Sequence, residues 1–224
     1  MIYENDNLII EYSDADKLYI ANMVKIVEEN SGRILKFFNL SKLNTNCKIV
    51  IWSKVEDYIA NLTKELKKGG RDYQPWMIAD TCDGNINLVT LDKLRTMPNR
   101  ENYTLEDQLD CIKHEFTHIC HLEVLGNCFF EIKGWLFELL ATNLGDPNMH
   151  RIIQIDCNLE DLEKNWDYIS DNYQIVFTIG KYLFENYNKE FILEFCTNKT
   201  KYEELKKQVF EDAKQKSNQF RSNK

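Results

Sequence analysis

The sequence predicts an α+β protein: a small mixed sheet with helices in the N-terminal part, motif-bearing helices in the middle, and a mostly helical C-terminal part. Three observations predict it. Every extended apolar or alternating stretch lies before residue 92. After about Asp146 the apolar residues recur only at helical spacing. Finally, 8 Gly and 3 Pro in 224 residues are too few for a Gly- or Pro-rich linker, so the chain reads as continuously folded. The expected organisation is an α+β subdomain over residues 1–145 and a helical subdomain over 146–224 that closes a cleft.

Taken in order, LIIEY (8–12) is a short apolar strand, and residues 14–38 follow with apolar positions at helical spacing, Leu18, Ala21, Val24, Val27, Ile34 and Phe38 among them. CKIVIW (47–52) is a second strand, and VEDYIANLTKEL a helix that stops at Gly69-Gly70. In DGNINLVTL (83–91) a turn-forming Asp-Gly precedes Ile86 and Leu88 alternating with Asn85 and Asn87. That alternation predicts one buried and one wet face, as in an edge strand. Thr104 is a good N-cap, with Glu106 and Asp107 in the first turn, where the helix dipole favours anions; the helix it opens is expected to end at Gly126. GWLFELLATNL forms a second short helix closed by Gly145 and Pro147. LEDLEKNWDYI, NYQIVFTIGKYLFENY, KEFILEF and YEELKKQVFEDAKQ supply the later helices.

Composition narrows the function classes. Net charge is -8 and no Lys/Arg-rich block could track a phosphate backbone, which argues against nucleic acid and anionic membranes as partners. No apolar run approaches a membrane span, and the acidic start MIYENDNLIIEYSDAD lacks the features of a signal peptide, so a cytoplasmic location is expected. The seven cysteines are odd in number, scattered and never CxxC, a pattern of reduced and mostly buried thiols.

The chemistry concentrates in KHEFTHIC. Leu105, Leu109, Ile112, Phe116 and Ile119 form one apolar stripe, and His114 and His118 fall roughly opposite it, near Asp110, Thr117 and His121. Such a helix lies between a core and a cleft. Histidines at i and i+4 sit one above the other, close enough to ligate one ion, while Glu115 is rotated beside the ligand line, where it can take a proton from a bound water. The histidine that would complete a metzincin pattern is replaced by Val124. Glu138, twenty residues after His118 on the next helix, is the alternative third ligand; three protein ligands leave the fourth position of zinc open.

HEFTH at 114–118 together with GWLFELLA at 134–141 resembles the gluzincin metallopeptidases, the thermolysin type, and especially their small bacterial members. The resemblance implies one zinc ion on His114, His118 and Glu138, Glu115 as general base and proton carrier, and a peptide or protein substrate. It also implies an edge strand that aligns the substrate, which GNINLV resembles, and an oxyanion donor from the C-terminal part. For that donor Tyr173 is the first candidate, with Tyr168 and His150 behind it. Leu139 stands where the family often has glycine, and Thr142 where thermolysin-like members carry an aspartate that orients a zinc histidine; Asp110, Asn143 or a main-chain carbonyl are the candidates to replace it. No GxMEN segment occurs, so endopeptidase action is expected over aminopeptidase action.

Other readings stand beside this one. The histidines could share a helix face by coincidence, Glu138 could be an exposed glutamate, Tyr173 a packing residue, and His121 a core or cleft-lining histidine. A di-iron bundle would need a second Glu-x-x-His pair, which the chain lacks. A metal-binding gluzincin-like domain with a regulatory or scaffolding role has no need of a general base, so Glu115 favours the enzyme.

Overall fold

In the computed structural model, which describes residues 1–5, 8–68, 70–75, 77–82 and 84–221, the chain has an α+β fold. Strands β1 (Ile2–Glu4), β2 (Leu8–Glu11), β3 (Cys47–Trp52), β4 (Ala79–Cys82) and β5 (Asn85–Val89) form one sheet in the order β1-β2-β3-β5-β4. The sheet is mixed: β2, β3 and β5 run parallel, and β1 and β4 flank them antiparallel. The helices are α1 (Lys17–Phe37), α2 (Val55–Lys68), α3 (Leu91–Leu94), α4 (Leu105–Leu125), α5 (Gly134–Leu144), α6 (Leu159–Lys164), α7 (Asn172–Asn186), α8 (Lys189–Thr197) and α9 (Lys199–Ser217). Among the described residues no helix is long and apolar enough to cross a membrane.

The chain divides into two compact units, Met1–Arg33 with Ser41–Ile119, and Ile34–Leu40 with Cys120–Lys224. Unit 1 contains the sheet. Ile10, Ile49 and Ile86 are in register across β2, β3 and β5, each fully buried, so one face carries a row of β-branched side chains that pack well on a pleated surface. On α2, Tyr58 and Leu62 cluster with Val89, Trp52 and Cys82 of the sheet. A second cluster joins Leu91, Leu94, Met97 and Tyr103 to Tyr19 of α1 and to Leu105 and Cys111 of α4.

GNINLV is not the edge strand that its alternation predicts. NINLV of that stretch forms β5, which is interior, between β3 and β4, and the edge on that side of the sheet is β4, residues ADTC. Polar alternation misled because Asn87 is not wet: it is 4% exposed, and its amide is used inside the sheet, accepting from Trp52 Nε1 (3.2 Å) and donating to Asp80 Oδ1 (3.1 Å). Asp83 of the expected Asp-Gly turn and Gly69 of the expected stop lie outside the described residues; Gly84 and Gly70 adopt positive φ beside them.

The motif helix begins and ends where its end signals place it. Thr104 Oγ1 accepts from Asp107 N (3.1 Å) and Asp107 Oδ2 accepts from Thr104 N (2.8 Å), a reciprocal box with aspartate at the third position. At the other end Gly126 takes φ 50°, the left-handed conformation that favours glycine.

Unit 2 is helical. Its α5 and α7 pack at Gly180, where an added Cβ would stand 2.1 Å from Asn143 Nδ2. Asn143 in turn donates to Leu139 O (2.9 Å) and Phe177 O (3.4 Å). Rings of Tyr187, Phe191, Phe195, Tyr202 and Trp135 follow one another in contact and join α8, α9 and α5.

The cysteines are all free. Cys47, Cys120 and Cys196 are buried, whereas Cys128 is exposed and the other three are half-buried, so the thiols are less uniformly buried than expected. Burial pushes the Cys47 thiol up to about 12 and the Cys196 thiol up as well, which keeps both protonated and unreactive.

Candidate metal centre

One turn of α4 separates His114 from His118, and their Nε2 atoms stand 3.1 Å apart, with ring centroids 4.8 Å apart and planes at 80°. The carboxylate of Glu115 joins them, so that one ligand atom from each of the three residues lies within 4.8 Å of the others. Imidazole nitrogens this close cannot both carry a proton there. Either one N–H donates to the other's lone pair, or both lone pairs face one cation. Two nitrogens on a tetrahedral zinc at the usual bond length stand about 3.3 Å apart, so the observed separation fits shared ligation of that ion with little adjustment. His114 and Glu115 are 8% and 7% exposed and His118 is half-buried, a setting shielded enough to strengthen electrostatic interactions.

Glu115 is anchored from the sheet edge. Thr81 Oγ1, on β4, donates to Glu115 Oε2 at 2.7 Å and lies 3.2 Å from the main-chain oxygen of the same residue. Strand alternation sends the neighbours of Thr81 to the opposite face: Cys82 packs in the α2 cluster, and Asp80 lies beside Tyr58 of α2. Burial pushes the Asp80 carboxyl up to about 6; the charge of Glu115 adds to the rise, and hydrogen bonding with Cys82 and Asn87 opposes it. Tyr58 is raised well above the ordinary phenol range, by burial first and then by the charges of Asp80 and Glu115. Asp80 Oδ2 and Tyr58 Oη are both buried and, among the described residues, neither has a partner with full hydrogen-bond geometry; the two side chains influence each other through their proximity.

The structure thus brings His114, Glu115 and His118 together in unit 1. Asp110, a candidate to orient a histidine, is paired with Lys113 one turn along the same helix. Glu138 and Tyr173 belong to unit 2. Glu138 is a half-buried residue of α5 whose main-chain oxygen accepts from Thr142 Oγ1 (2.7 Å), so Thr142 closes back on its own helix. Asn143, another candidate orienting residue, uses its amide in the α5–α7 packing. Tyr173 lies parallel to the His150 ring (6.3 Å, 7°) and edge-on to Trp166 (5.5 Å). His150 Nε2 is 3.1 Å from the buried carboxylate of Asp146, a histidine–aspartate pair beside that tyrosine, whereas Tyr168 is 89% exposed. His121 is fully buried between Phe38 and Phe137, with Nε2 3.1 Å from Cys196 O, as a core histidine.

Thr81 and Asp80 were not found by reading the sequence. ADTC is four residues long and has little of the β-branched alternation that marks a strand, so nothing placed it at the sheet edge or beside a helix 34 residues further on. Compared with protein-family models, with curated proteins and with solved structures, the chain matches none.

Proposed function

We propose that this chain is a zinc-dependent peptidase of gluzincin type, acting as an endopeptidase on peptides or proteins, with one ion held by His114, His118 and Glu138. The observation that carries the reading is the 3.1 Å approach of two imidazole nitrogens with a glutamate carboxylate beside them. Zinc, when bound, supplies a Lewis acid that lowers the pKa of water and stabilises charge on a carbonyl oxygen. Glu115 accepts the proton that water gives up as it attacks the peptide carbonyl, then delivers it to the departing amine. Glu115 is buried and stands beside both imidazoles, which places its carboxylate next to the water it would deprotonate. Tyr173 is the proposed donor to the oxyanion, and the His150–Asp146 pair stands next to it as the alternative.

The test combines elemental analysis, X-ray absorption and turnover. Purified protein should hold one zinc per chain in a shell of two imidazole nitrogens and a carboxylate oxygen, and should cleave members of an unbiased peptide library. Glu115→Gln should retain zinc and lose turnover. Hydrolysis that survives Glu115→Gln sinks the mechanism, and zinc binding with no hydrolysis by the wild type transfers the chain to the metal-binding regulatory reading.

A further inference from the structure

We propose that Thr81 is a positioning residue for the general base: its hydroxyl holds Glu115 by Oε2 and leaves Oε1 to receive the proton from water. The inference rests on the peptidase reading and deepens it. A glutamate on a helix has three rotatable side-chain bonds, and a base that wanders among rotamers spends little time within hydrogen-bond reach of the proton it must take. Residues of the motif helix cannot supply this restraint alone, since the HExxH pattern fixes only which side of the helix Glu115 occupies. The restraint comes from the sheet. At 2.7 Å the bond from Thr81 Oγ1 to Oε2 is a short one, and the same hydroxyl lies 3.2 Å from the Glu115 main-chain oxygen. The hydroxyl has one proton, which goes to the closer carboxylate oxygen.

Three features make the arrangement more than a surface hydrogen bond. Glu115 is nearly buried, so its carboxylate has little water to replace the threonine. Thr81 is held in its strand by pairing opposite Ile86, a fully buried residue of the interior strand β5, so the donor's place is set by the sheet. And Asp80, the residue before it, points to the other side of the strand, so its carboxylate does not compete for the hydroxyl.

Thr81→Val removes the hydroxyl while keeping the shape, and Thr81→Ser restores it. Three quantities are measured: zinc per chain; kcat and KM on a cleaved peptide; and the 13Cδ resonance of Glu115 in metal-free protein at one neutral pH, assigned by its loss in Glu115→Gln. Thr81→Val should keep zinc and KM, lose about ten- to a hundredfold in kcat, and shift the Glu115 resonance; Thr81→Ser should return kcat to within about threefold and the resonance to its original place. A wild-type kcat or an unmoved resonance in Thr81→Val, with wild-type zinc-dependent hydrolysis intact, overturns the role of Thr81 and leaves the peptidase reading standing. A wild type without zinc-dependent hydrolysis overturns both.

Discussion

Across the β4–β5 pair Asn87 Nδ2 donates to Asp80 Oδ1 at 3.1 Å, with the two residues directly opposite in register. The hydrogen bonds from Asn87 and Cys82 do not offset the burial of a carboxylate, and Asp80 accordingly keeps its proton up to about pH 6. Between the ordinary aspartate value and 6 the folded chain binds more protons than the unfolded one, so stability falls as pH rises through that window, and the cost is fully present above it. Asp80→Asn is expected to be more stable than wild type at pH 8, by up to roughly 3 kcal/mol, and equal to it near pH 4. Urea unfolding at the two pH values measures the difference; a gap of the same size at both contradicts it.

A ligand that binds only the folded state raises stability by mass action. Zinc at a hundredfold excess over its dissociation constant should stabilise the protein by about 2.7 kcal/mol, visible as a rise in Tm that a chelator reverses. His114→Ala and His118→Ala should each abolish most of that rise, while His121→Ala should lower the metal-free Tm and leave the response to zinc intact. A zinc response retained in both His114→Ala and His118→Ala removes the proposed centre.

Gly180 in the interior of α7 would ordinarily gain helix stability on replacement by alanine. Here the new methyl meets Asn143 Nδ2 at 2.1 Å, its Cγ at 2.8 Å and Leu139 Cγ at 3.1 Å, and relief requires breaking the amide's bonds to Leu139 O and Phe177 O. Gly180→Ala should cost about 1–3 kcal/mol in urea unfolding, and part of the loss should return when Asn143→Ala is added.

Thr104→Ala removes one half of the reciprocal cap on the motif helix and should cost about 1 kcal/mol, with the urea midpoint lowered and the slope unchanged.

What could be read in advance follows from what is local. The ends of α4 and α5 were legible because Thr104, Gly126, Gly145 and Pro147 act within a turn of their own positions. The pair His114 and His118 was legible because four residues on a helix always return to the same face. The role of Asn87 was not, because the same alternating pattern serves a wet edge and an interior strand whose polar groups bond to one another, and only pairing with β4 distinguishes them. Thr81 escaped for the same reason: its partner is set by strand pairing and by the docking of a helix, and neither leaves a mark in ADTC.

Asp80 also bears on how copies of this chain behave toward one another. A strand with an unpaired side is a template for another strand, and natural sheets discourage such pairing by placing an inward-pointing charge at the edge. Among the described residues β4 ends the sheet, and it carries such a residue in Asp80, whose Oδ2 is buried. The carboxylate that weakens the folded chain above pH 6 is therefore also a guard against self-association. The asparagine variant should trade colloidal stability for thermal stability, unfolding later while scattering more light at high concentration.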